Sequence, residues 1–144
     1  MGTLFSAYDI RGKLGENISK EYAWHVGQAF AEWLPDTGSI VVATSAAANE
    51  SIAHAFIEGA LLQGRDVIHV SGGSEQVIPD EIASSSATGG VLISHDDIQG
   101  MEIIALYDIH GTAIGAESGL SYIGELVEAG NFLPAATKGT LTSK

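Results

Sequence analysis

The feature that most restricts this chain is a repeated switch between two hydrophobic periods. Short apolar runs of strand length alternate with longer segments in which apolar residues recur every three to four positions. From Ser19 to Leu34 the residues Tyr22, Ala23, Val26, Ala29, Phe30 and Leu34 share one face of a 3.6-residue period, and Pro35 stops the run. Ser39-Ile40-Val41-Val42-Ala43 predicts a short buried strand. Asn49 is placed to cap a second helix through Leu62, with Gly64 as its stop. Asp66 to Val70 predicts a second strand, and Pro79 at a first helical position, followed by Asp80 and Glu81, predicts a third, shorter helix. Gly89-Gly90 leads into a third strand, Val91-Leu92-Ile93. A polar loop from Ser94 to Gly100 then precedes Met101 to Tyr107, and so short a loop leaves no room for a crossover helix, which predicts an antiparallel return. Ser118 to Ala129 predicts a last helix.

Alternation with short connections predicts an α/β fold: a three-layer α/β/α arrangement around a small mixed sheet of about four strands, the last one antiparallel. One domain over residues 1–134 accommodates these elements, and residues 135–144 read as a linker-like tail. In such sheets ligands gather beyond the carboxyl ends of the strands. The segments Thr44 to Asn49, Ser71 to Gln76 and Ser94 to Gly100 are therefore the places to look for chemistry.

Charge narrows the partners. The formal net charge is −12, carried against only two arginines, Arg11 and Arg65, and four lysines. Nucleic acid and anionic membrane are repelled by such a surface. No apolar run approaches the roughly 20 residues of a bilayer span, and the N-terminus lacks a basic segment followed by an apolar one, so a cytoplasmic protein is expected. Cysteine is absent, which removes disulfides and thiolate metal sites.

Among the candidate site residues, Ser94 by itself reads as a loop serine capping a turn. His95 cannot serve it as a base by simple geometry, because neighbours in an extended segment point to opposite sides. His95-Asp96-Asp97 offers ligand types for Mg²⁺ or Zn²⁺, but consecutive residues seldom converge on one ion, and a solvated turn is the plainer reading; no metal site is assigned. Arg11 by itself reads as a tether for the N-terminal segment. His25, His54 and His69, inside predicted helices and a strand, read as packing or exposed positions.

Several motifs in order carry a resemblance. Tyr8-Asp9-Ile10-Arg11-Gly12-Lys13-Leu14-Gly15-Glu16, Gly27-Gln28-Ala29-Phe30-Ala31, Ser71-Gly72-Gly73-Ser74-Glu75 and Ile114-Gly115-Ala116-Glu117-Ser118-Gly119-Leu120 resemble the first domain of the phosphomannomutase/phosphoglucomutase (phosphohexomutase) family. The resemblance implies four strands with the last antiparallel, a place in sugar-phosphate metabolism, and a catalytic serine that relays a phosphoryl group. It implies Ser94 and His95 as the catalytic Ser-His pair, with Arg11 and Tyr8 at the phosphate or substrate. It implies Mg²⁺ for the family, with most ligands in a second domain, and no cofactor for this chain.

The chain departs from that pattern at the site. The serine motif, Thr-Ala-Ser-His-Asn-Pro followed by Asn-Gly-x-Lys, stands here as Ile93-Ser94-His95-Asp96-Asp97-Ile98-Gln99-Gly100-Met101-Glu102, about four residues shorter. Ser94 meets the motif's serine only with a deletion before it; without the gap Asp96 takes that position. Glu102 stands at the lysine, and Ala43-Thr44-Ser45-Ala46-Ala47 stands where the family has Gly-Arg-Asp-Thr-Arg. These changes put anions where a phosphoryl group wants cations. The expectation is a catalytically incomplete domain with weak phosphosugar binding at most. The alternatives are a non-enzymatic dimerisation or regulatory module, and an enzyme assembled with a partner that supplies the missing domains. Tyr122, Leu126, Val127 and the stretch Phe132 to Ala136 are the expected contact surface of a homodimer or a missing-domain partner.

Overall fold

The computed structural model describes residues 9–144, so Tyr8 lies outside the described residues. The element order is β1 (Ile10–Gly12), α1 (Lys20–Trp33), β2 (Ile40–Thr44), α2 (Glu50–Leu62), β3 (Val67–Ser71), α3 (Val77–Ser85), β4 (Gly89–Asp96), β5 (Met101–Tyr107), α4 (Ser121–Ala129) and β6 (Leu141–Ser143). One sheet holds all six strands in the order β1-β5-β4-β2-β3-β6. Only β5 runs against its neighbours, pairing antiparallel with both β1 and β4. The four predicted strands are present with the predicted directions, and two short edge strands raise the number to six.

The helix ends follow local chemistry. Ser19 accepts a hydrogen bond from the Tyr22 backbone N–H at 3.1 Å, and Asn49 does the same for Ile52. Leu34, held extended at ψ 137° by the proline that follows, ends α1. Gly64, at φ +88°, takes the left-handed turn after α2. The third helix begins at Val77, so Pro79 is its third residue and not its first. Its missing N–H still falls in the first turn, where no carbonyl within the helix awaits it.

Alternation along each strand sorts the sheet into two faces. Ile40, Val42, Val91, Ile93, Ile104 and Leu106 pack with the buried residues of α1, α2 and α4. Val41, Ala43 and Tyr107 meet Ile78 and Ile82 of α3 on the other face. The result is three layers, with a thick helical layer on one side and a single short helix on the other. Helices α1 and α2 approach so closely that a Cβ on Gly27 would meet the Phe56 carbonyl oxygen, and one on Gly59 the Trp24 carbonyl oxygen.

The tail packs along the domain. Thr140 donates to Asp66, Val67 donates to the Thr140 carbonyl, and β6 then pairs parallel with β3 in the register Ile68↔Thr142. Lys138 bridges to Glu58 on α2 and Lys144 to Glu81 on α3. Phe132 and Leu126 pack against the main core, while Tyr122 and Leu133 remain exposed.

Candidate active site

The hairpin of β4 and β5, with the edge strand β1 alongside, carries Ser94, His95 and Arg11. The expected loop from Ser94 to Gly100 is shorter than that: β4 runs on through Asp96, and only Asp97 to Gly100 turn the chain. The turn is built by Asp96, whose Oδ1 accepts from Ile98 at 2.9 Å and Gln99 at 3.2 Å, while its carbonyl accepts from Gly100. Gly100 adopts φ +67°, a conformation glycine reaches without strain. Asp96 is thereby occupied as a turn former.

Register brings Arg11 and Ser94 into one row. Both sit opposite Ile103 on β5, one from each side, so they share a face and lie two strand spacings apart, about 10 Å. That face is the one α3 covers in part. Asp96, two residues beyond Ser94, adds its charge to the environment of Arg11. Asp9 is much closer. Its two oxygens accept from Arg11 Nε at 3.0 Å and Nη2 at 2.7 Å, a paired contact that raises the Arg11 pKa above its ordinary value, with the charges of Asp9 and Asp96 adding and burial opposing.

His95 and Glu102 lie on the opposite face. They are register partners across the hairpin, and His95 Nδ1 stands 2.9 Å from Glu102 Oε2. Asp97 approaches the other ring nitrogen at 3.5 Å. Glu102 is almost fully buried, and among the described residues its second oxygen, Oε1, has no hydrogen-bond partner. This carboxylate orients the imidazole, but the pleat turns both away from Ser94, so the pair cannot take that serine's proton. Among the described residues no three His, Asp or Glu side chains are arranged to hold a metal ion. The described residues do not form a Mg²⁺ site.

The sequence signal for Asp9 is its two-residue spacing to Arg11, which in extended backbone places both side chains on one face. The contact between His95 and Glu102 was hidden until the hairpin register was known. A separate cavity of about 430 Å³ opens at the ends of β2 and β3, and Arg11, Ser94 and His95 do not line it.

Comparison with known proteins decides the family. Phosphoglucomutase/phosphomannomutase, alpha/beta/alpha domain I, matches residues 2–132. The chain belongs to the phosphoglucomutase/phosphomannomutase family. A phosphomannomutase of Salmonella typhimurium is 29% identical over 136 residues, covering 92% of this chain and 29% of its own length. A phosphomannomutase of Klebsiella pneumoniae is 30% identical over 145 residues, covering 96% of this chain and 90% of its own length. Among solved structures, a phosphoglucomutase/phosphomannomutase family protein from Burkholderia thailandensis superposes with TM-score 0.78 at 18% identity, over 99% of this chain and 33% of that one. That likeness supports the fold. The chain thus spans about 29% of the Salmonella relative, the share of a phosphohexomutase that domain I represents.

Proposed function

We propose that this chain is a phosphohexomutase domain I that retains the fold and part of the phosphate-facing row, and that it does not transfer phosphoryl groups by itself. The observation that carries this reading is the occupation of Arg11 by Asp9 on the face shared with Ser94. A phosphoryl group in transfer spreads negative charge over its oxygens and needs cations or N–H donors aimed at them. Here the guanidinium has a carboxylate on its paired donors, Asp96 stands on the same face, and the tight hairpin leaves Ser94 within the ladder opposite Ile103. A phosphate oxygen within about 5 Å of an uncompensated carboxylate meets a repulsion on the order of 3 kcal/mol at an effective dielectric near 20.

Ser94, in this reading, is the residue that would accept and pass on a phosphoryl group, and Arg11 the group that would orient it. Asp9 must leave before Arg11 can do so. A neighbouring domain that inserts a cation beside Asp9 is the arrangement that would complete the site.

The test is an assay of the purified chain with mannose 1-phosphate and with glucose 1-phosphate, Mg²⁺ and a sugar bisphosphate, followed by phosphorus NMR. No 6-phosphate is expected. Turnover that disappears in Ser94→Ala would overturn the reading and establish Ser94 as the phosphoryl carrier.

A second reading, a partner-binding module, is favoured by the thin cover of the α3 face. Val70, Leu92 and Ala105 are only half-buried there, and Tyr122 and Leu133 stand exposed elsewhere on the surface. Sedimentation velocity distinguishes it: a homodimer that dissociates when Tyr122 and Leu133 become Ser supports association through the C-terminal region.

A further inference from the structure

We infer that the cavity at the carboxyl ends of β2 and β3 is a binding site for an uncharged, hydroxyl-rich small molecule, a free sugar or polyol. The inference is independent of whether Ser94 carries phosphate, because the cavity lies on the α2 side of the sheet and Ser94 on the α3 side.

The topology opens the crevice. The chain leaving β2 passes to α2 on one face, and the chain leaving the neighbouring β3 passes to α3 on the other. Neighbouring connections that part in this way leave a crevice beyond the strand ends, the usual ligand position of open α/β sheets. The sequence keeps it open, because Ser45, Ala46, Ala47 and Ala48 follow β2 with small side chains throughout. The tail closes one side: Leu141 of β6, a large apolar residue left 48% exposed, forms a wall. A volume of about 430 Å³ falls in the range of small-molecule sites.

The lining chooses the ligand. Its floor is apolar, from Ala53, Ile57 and Leu141. Its polar groups are hydroxyls and imidazoles: Thr44, Ser45, Ser71, His54 and His69, with Thr44 Oγ1 held 3.0 Å from His69 Nε2. Hydroxyl and neutral imidazole both donate and accept, which matches ligand hydroxyls that do the same. The lining holds no lysine or arginine, and its one carboxylate is Glu50. A phosphate dianion would find no lysine or arginine to bind it, so the lining offers a phosphorylated sugar nothing that it does not offer a neutral one. A cationic ligand would find only an exposed carboxylate, weakened by water and salt.

The test is a titration of the ¹⁵N-labelled chain with glucose, mannose and myo-inositol, and in parallel with mannose 6-phosphate and inorganic phosphate, followed by amide and imidazole NMR shifts. At least one neutral probe is expected to give saturable shifts centred on Thr44, Ser45, His54 and His69. His54→Ala should weaken its binding by up to roughly tenfold, the worth of one hydrogen bond, and Ala46→Leu should abolish it by filling the space. Both positions are exposed, so neither change removes a core contact. Spectra unmoved by all three neutral probes would overturn the proposal. So would tighter binding of the phosphorylated probe at these residues, or neutral-probe binding that both variants leave unchanged.

Discussion

Arg11 on the edge strand β1 and Asp9 just before it are paired, with both carboxylate oxygens taken up by the guanidinium at 3.0 and 2.7 Å. The pair has the bidentate geometry in which a guanidinium also grips a phosphate. The Asp9 side chain is 15% exposed against 36% for that of Arg11, so the anion is the better sheltered of the two.

Removing that carboxylate should therefore create anion affinity. Asp9→Asn is expected to bind inorganic phosphate or a sugar phosphate at least several-fold more tightly than the parent chain, with shifts in the Arg11 Nε resonance. The gain should vanish in the double variant Asp9→Asn/Arg11→Gln. Equal binding by parent and single variant would show that Asp9 does not gate Arg11.

Arg65 is expected to be the most sensitive single position for stability. Its buried guanidinium donates to the carbonyls of Ala31, Leu34 and Gly38, at 2.9 Å in the shortest contact to each, and reaches Asp36 at 3.3 Å. It thereby ties the end of α1 to the entry of β2. Arg65→Met leaves those carbonyls without a donor and should cost about 3–5 kcal/mol, read as a lower urea midpoint. Arg65→Lys should recover little of it, since an ammonium cannot span the fork of acceptors.

The crossing of α1 and α2 makes a sharper claim about size. Gly59→Ala places a methyl group against the Trp24 carbonyl and 3.1 Å from the Gln28 nitrogen, both backbone atoms that cannot rotate away. The helices must separate, at about 1–3 kcal/mol, lowering the melting temperature by about 3–10 °C. Gly15→Ala meets no neighbouring atom, although its φ of +87° carries a backbone cost of its own. Comparing the two separates overpacking from local strain, and Gly59→Ala should also loosen amide protection along α1.

Tyr22 supplies the pH dependence. Burial chiefly, and then the charge of Glu128, push its phenol from 10.0 up to about 12. The fold favours the neutral phenol, so this contribution is fully present below pH 10 and is lost as pH rises through about 12. Denaturation midpoints measured from pH 9 to pH 12 should fall more steeply for the parent chain than for Tyr22→Phe. Parallel curves would remove Tyr22 as the cause.

Periodicity and punctuation alone determined the elements that build the centre of this protein. The α1 and α2 patterns, the caps Ser19 and Asn49, the stops Pro35 and Gly64 and the antiparallel return of Met101–Tyr107 are local matters of sterics and hydrogen bonding, and a sequence displays them. The motifs beginning at Tyr8-Asp9-Ile10-Arg11 likewise carried the family. What the sequence did not display depends on partners far away along the chain. Ile10–Gly12 and Leu141–Ser143 are too short to show a period, and become strands only because β5 and β3 offer them open edges. Ser94 and His95 looked like loop residues because they are polar. The hairpin register made them strand residues and sent them to opposite faces, one toward Arg11 and the other toward Glu102. Tertiary structure decided the site for a physical reason: which charges meet across a sheet follows from strand order and register, and those are settled by long-range pairing and not by local preference.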